Sequence, residues 1–295
     1  MLRWCLVFAC FVSLLSSSNF AFACATCSAG DPTLTASGSE KPFASRKRIS
    51  LNLRATKISA NDVDISEQRL ELRTDFALSQ TLMLTAALPS IHRSIASRNG
   101  AVSRELTLGD AELRASSIAY DTGISAVRRM VLVFGGLKFP TAPLQTDAHG
   151  AALPVALQPG CGSIAPTLGA SFVASSSPIT LTASTSFYLP FSVRDGPHAG
   201  DSWRTSFTLQ FQPAKSKIAT RFGASTRLDE AGTLGDQATI DPNSGGLVVY
   251  GSGEIIVSPA TDLVFGVGFF SPAVQLLRGN QRESTIAMAT ASYDF

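Results

Sequence analysis

The chain has 295 residues, 24 basic against 22 acidic side chains for a net charge of +2, and 45% apolar residues. That is material for one large domain or two ordinary ones. It excludes a nucleic-acid-binding protein of the usual basic kind, because "SRKRIS" is a single short run and no extended positive face accompanies it.

Taken in chain order, residues 1–23 read as an export signal. Arg3 supplies the charge, Leu6 to Leu15 the apolar segment, and Ala21, Phe22 and Ala23 an A-x-A cleavage site. The apolar segment breaks into Ser16, Ser17, Ser18 and Asn19, well short of the ~18 residues a spanning helix needs. Cleavage leaves a periplasmic N-terminal segment, residues 24–45, that begins at Cys24. Cys5 and Cys10 leave with the signal, so Cys24, Cys27 and Cys161 meet an oxidising compartment. "CATC" suits a local Cys24–Cys27 disulfide, a redox exchange site or a Cu(I) contact, and the sequence leaves all three open. Lipidation of Cys24 is a further reading, weakened by Ala21 where a lipobox carries Leu. Zinc would need ligands that "CATC" lacks nearby, and covalent haem a His where Ser28 stands, so no metal or cofactor is expected.

Residues 46–295 alternate apolar and polar side chains with a period of two, in segments of about ten residues, the signature of strands. In the first, Ile49, Leu51, Leu53 and Ala55 share one face while Arg48, Ser50, Asn52, Arg54 and Thr56 share the other. Segments begin near residues 46, 65, 80, 104, 127, 165, 179, 201, 216, 246, 261 and 284. Between them, short turns such as "ALSQ", "YDTGIS", "SSSP", "PAKS" and "SPAT" alternate with longer links at residues 94–103, 138–165, 192–200, 229–245 and 272–283. The exception is the short first hairpin around "ANDVD". Short turns on one rim and long loops on the other predict an all-β fold: a closed antiparallel transmembrane β-barrel of about 12 strands, with periplasmic turns and extracellular loops, in the outer membrane of a Gram-negative bacterium. Strands facing hydrocarbon can leave no backbone group unpaired, so the last strand must pair with the first. Tyr293 and Phe295 then point outward at the periplasmic lipid boundary.

Several phrases resemble an outer-membrane family named for the meta-cleavage pathway of phenol degradation. "TLGDAELRASSIAY" is similar to its Gly-Asp strand, "VLVFGGLKFPTAP" to its Gly-x-Lys-x-Pro-Thr strand end, "LQPGCGSIAPTLGASF" to its Leu-Gln-Pro-Gly-x-Gly-Ser loop, and "FFSPAVQLLRGNQRES" to its Gly-x-Gln stretch. Cys161 departs from a common Thr and Ala142 from a common Gly. The resemblance implies a barrel carrying small molecules across the outer membrane, without fixing the cargo. The aromatic last strand also resembles the signal read by the barrel-assembly machinery, through Tyr293 and Phe295.

Parity assigns Arg54, Arg69, Glu71, Arg73, Asp75, Asp110, Glu112, Arg114, Arg204, Arg221, Arg227 and Glu254 to the lumen, together with aliphatic Val264, Ile286 and Met288. Seven bases against five acids point to a weak preference for anions, or else these charges pair across strands and hold the wall together; both readings stand. Residues 138–165 form either a constriction or an ordinary surface loop. The histidines His92, His149 and His198 fall on the outer rim, and His92 with Ser94 or Ser103 lacks any supporting catalytic motif, so no enzyme is expected. The expected function is passive passage of small polar or amphipathic solutes. The alternative is a closed binding or anchoring barrel whose Cys24–Cys27 tail contacts a periplasmic redox or metal partner.

Overall fold

A period of two leaves each strand with one apolar and one polar face, and a sheet built from such strands can shelter only one of them. The computed structural model describes residues 47–60, 63–97, 102–123, 127–146, 152, 158–160, 162–192, 197–234, 239–279 and 281–295. The export signal, Cys24, Cys27, Cys161, His149 and the rest of residues 1–46 lie outside the described residues.

Seventeen strands follow in order: β1 (Lys47–Ala60), β2 (Val63–Ala77), β3 (Leu82–Ser97), β4 (Val102–Leu108), β5 (Ala111–Asp121), β6 (Arg128–Phe139), β7 (Ser163–Ser176), β8 (Ile179–Tyr188), β9 (Phe191–Ser192), β10 (Ser202–Phe211), β11 (Ile218–Asp229), β12 (Thr233–Leu234), β13 (Thr239–Ile240), β14 (Gly246–Ala260), β15 (Leu263–Leu277), β16 (Arg282–Glu283) and β17 (Ile286–Asp294). Twelve wall positions close into an antiparallel ring, in which β4 and β5 together fill one position beside β3. The segment expected to begin near residue 104 is thus interrupted at Gly109–Asp110. Strand β3 also runs to Ser97, past the expected start of the link at residue 94, so His92 stands within the strand.

Closure is made by β1, which pairs with β2 on one side (Leu51↔Leu72) and β17 on the other (Leu51↔Ala291). Phe295 completes the seam: its N–H donates to Lys47 O at 2.9 Å, and Lys47 N–H donates to Phe295 O at 3.1 Å. Neither edge strand of the ring is left open, which removes the unpaired donors and acceptors that hydrocarbon would penalise.

The two faces divide as the pattern predicts. Leu51 and Leu53 are each 46% exposed, while Asn52 and Arg54 between them are 6% and 8% exposed. Leu70, Leu72, Leu113, Phe207, Leu209, Phe222 and Phe269 continue the exposed apolar band around the ring. Aromatic pairs mark its two margins. Phe187 stacks on Trp203 with centroids 5.8 Å apart toward the long-loop rim, and Tyr293 on Phe295 at 6.2 Å beside the short turns. An exterior band of this composition belongs in hydrocarbon, with rings at its interfaces.

Candidate functional site in the barrel interior

Because the apolar face points out, the strands deliver most of their charged residues to the interior. All twelve charged residues assigned by parity are buried or half-buried on that inner side. Their arrangement is not a uniform lining. Long charges concentrate on β1 to β5, where Arg73 pairs with Asp75 at 3.0 Å and Asp75 accepts from Thr85 at 2.6 Å. Further along the same arc, Arg93 pairs with Glu67 at 2.5 Å, and Arg48 with Asp294 at 2.5 Å across the closing seam. Ser50 with Ser292 and Asn52 with Thr290 extend that seam as hydrogen bonds of 2.9 and 3.0 Å.

A second ionic group sits toward the long-loop ends of β10, β11 and β14. Arg227 pairs with Asp229 at 2.5 Å and with Glu283, and donates to the Tyr250 hydroxyl at 3.1 Å, while Tyr250 donates to Glu283. Arg204, only 2% exposed, lies over the Tyr188 ring at 4.3 Å and donates to Ser202 at 2.9 Å. Lower on β11, Arg221 reaches Gln210 at 2.6 Å and Glu254 at 3.3 Å. Breaking one partner of such a buried pair leaves an uncompensated charge, so these contacts fix the shape of the lumen.

Between the ionic groups the wall is built of small hydroxyls. Thr182 and Ser184 on β8 face inward beside Ser206 and Thr208 on β10, and Ser184 bonds Ser206 at 2.7 Å. Short side chains here leave space that arginines and glutamates would occupy. Toward the short turns, Met130, Leu132 and Val173 form an apolar patch with Met83 and Ile118, also on the inner face.

The expected lumen set left out Arg48, although the alternation put it on the polar face, with Arg93 and Lys138 among the bases and Glu67, Asp229, Glu283 and Asp294 among the acids. With them the basic excess of the expected set all but vanishes. Arg93 could have been found by continuing the alternation past His92; Glu283 could not, since it sits on the two-residue strand β16. The inner apolar patch was missed because "MVLVFGG" is apolar on both parities. Val264 and Ile286 are half-buried, and Met288 is 7% exposed.

Asp110 has a different place from its neighbours in the expected set. It lies at the β4–β5 break, 2% exposed, and its carboxylate accepts from Ala142 N–H at 3.2 Å. Thr141 Oγ1 donates to Gly109 O and accepts from Ala111 N–H at 2.9 and 2.8 Å. Gln158 accepts from Gln145 N–H and donates to Gln145 O, both at 2.9 Å. The Gly-Asp, Pro-Thr and Gln-Pro-Gly phrases, distant in sequence, therefore meet at one junction. The fourth phrase joins a second junction, where Gln281 donates to Asn243 O. Within the link at 138–165, the described flanks at Ala142 and Gln158 are buried rather than splayed into solvent.

His92 is exposed on β3, and His198 bonds the Thr233 hydroxyl at 2.8 Å.

No family model and no curated protein sequence matches this chain. Among solved structures, an outer-membrane channel from Pseudomonas putida F1 superposes with a TM-score of 0.70 at 12% identity, over 88% of this chain and 100% of that one. The transport unit of the autotransporter AIDA-I from Escherichia coli gives 0.51 at 10% identity, over 90% of this chain and 94% of that one. The P. putida toluene transporter TodX gives 0.44 at 13% identity, over 87% of this chain and 93% of that one, too loose a superposition to carry an argument. At such identities the shared property is the fold, a closed β-barrel of the outer-membrane kind.

Proposed function

We propose that this chain is an outer-membrane β-barrel that lets small polar or amphipathic solutes pass passively. One observation carries the reading: a single closed sheet presents apolar side chains outward and hydroxyls and charges inward, so that a polar interior stands behind a hydrocarbon-facing wall. A ring of this size is wider than the eight-stranded barrels that side chains fill and narrower than open porins, which suits small cargo. The fold likeness to a P. putida outer-membrane channel supports the same role.

On this reading the short turns are periplasmic and the long loops extracellular. The inward charges, with the hydroxyls of β8 and β10, contact the solute, and Tyr293 with Phe295 marks the chain for the assembly machinery. The motif phrases favour membership of the family named for the meta-cleavage pathway, and the export signal would be removed before Cys24. The crowding of Arg204 and Arg227, 2% and 3% exposed, favours a second reading in which the barrel is closed and anchors the Cys24–Cys27 segment to a redox or metal partner.

Liposome swelling by refolded protein separates the two. Sugars and amino acids of graded size should enter at rates that fall with size, whereas vesicles that do not swell with any of them favour the closed barrel. For the second reading, Cys24→Ser with Cys27→Ser should abolish partner pull-down and change metal content; unchanged values would remove it.

A further inference from the structure

The one lumen arginine of β5 is held in an unusual way. Arg114 is 7% exposed, yet among the described residues it makes no hydrogen bond and no ion pair, and its Nε is unsatisfied. It lies against an aromatic face: the guanidinium carbon is 5.3 Å from the centroid of Phe134. The register explains where it is aimed. Arg114 is opposite Gly136, Gly136 is opposite Thr167, and Thr167 is opposite Tyr188. A side chain at Gly136 would bring its Cβ to 3.1 Å from Arg114 Cβ, so the glycine clears the ground that the arginine crosses. Phe134 in turn lies over Gly169 on β7, where any Cβ would collide with the ring.

On the far side of this crossing are two more unsatisfied groups. Thr167 Oγ1 and Ser186 Oγ, on residues 1% and 0% exposed, have no hydrogen-bond partner among the described residues. Tyr188 lies within electrostatic reach of Arg114, and its ring carries Arg204 on one face. Buried polar groups in native proteins are nearly always satisfied, so a cation on β5 and two hydroxyls across β6, on β7 and β8, left without partners call for a ligand or ordered water.

We propose that Arg114, Thr167 and Ser186 form a station in the lumen for a small organic carboxylate, resting on the reading of the barrel as a passage. The guanidinium supplies a planar fork matched to a carboxylate, and the hydroxyls donate to the remaining oxygen lone pairs. Arg73, Glu112 and Asp75 also lie within electrostatic reach of Arg114, and the two carboxylates offset the second cation, so a single negative charge fits better than a phosphate dianion. Phe134 gives the apolar part of the solute a surface beside the fork.

The test uses the refolded barrel in detergent micelles, with propionate, propionamide and inorganic phosphate as probes in saturation-transfer NMR titrations. Propionate should bind at least about tenfold more tightly than propionamide, and Arg114→Gln should weaken propionate by about tenfold or more, the loss of one charge-assisted hydrogen bond, with heat-modifiable gel migration retained. Equal binding of acid and amide, or unchanged binding in Arg114→Gln, overturns the station. Phosphate binding as tightly as propionate with the same dependence on Arg114 overturns its assignment to carboxylates. Should Arg114→Gln not fold, Thr167→Val with Ser186→Ala carries the same expectation, a weakening of several-fold, and an unchanged value overturns it. A barrel that binds propionate but admits no solute into liposomes keeps the station and sinks the passage. One that swells liposomes without telling acid from amide does the reverse.

Discussion

The arc of wall from β1 to β5 and the arc formed by β8 and β10 obey the same alternation, yet they shape the interior in opposite ways. On the first arc, long charges meet in pairs and fill space, as Arg93 does with Glu67 between β3 and β2 and Arg73 with Asp75 along β2. On the second, Thr182, Ser184, Ser206 and Thr208 stay close to the wall, where Ser184 and Ser206 bond each other. Polarity alone therefore does not make a path. Side-chain length decides where a solute can stand, and ion pairing decides where it cannot.

The comparison is broken most severely by removing a shared cation. Arg227→Ala would leave Asp229 and Glu283 buried without their partner, costing about 3–5 kcal/mol as read by urea unfolding of the reconstituted barrel; adding Glu283→Gln should recover part of the loss. Next comes the lipid face. Leu53→Arg places a charge near the middle of the exposed band and should cost about 2–4 kcal/mol, whereas Leu53→Ile should be close to neutral in the same assay.

A sharper version targets the hydroxyl arc. Ser206→Trp should leave the unfolding midpoint nearly unchanged while cutting liposome swelling to roughly half or less, because the indole occupies the space a solute needs. The smallest effect belongs to the exposed hairpin pair. Arg128 and Asp121 meet at 2.6 Å with the arginine side chain 50% exposed, and Arg128→Gln should cost less than about 1 kcal/mol.

Much of this architecture was legible in the sequence because the period of two is imposed by the backbone. Ile49, Leu51 and Leu53 had to share a face whatever the tertiary context. The pairing of β17 with β1 likewise follows from the need to close the ring. What could not be read is which charges meet, since pairing depends on register and on residues far apart. Arg48 meets Asp294 only because β1 and β17 close the barrel, and Arg227 meets Glu283 through a two-residue strand. The station at Arg114 was hidden for another reason: Gly136 and Gly169 look like weak strand residues in sequence, and their use appears only once Arg114 and Phe134 lie across them.

The most direct test of the central claim places single cysteines at Ser206 and Phe207, adjacent on β10 and on opposite faces, after Cys24, Cys27 and Cys161 are replaced by serine. In native membranes the Ser206→Cys protein should react with a small water-soluble methanethiosulfonate, and Phe207→Cys should not, while a fluorophore at Phe207→Cys is quenched by lipid-borne bromine. Reaction at 207 and protection at 206 would mean that the faces are reversed, and no polar path would run through the barrel.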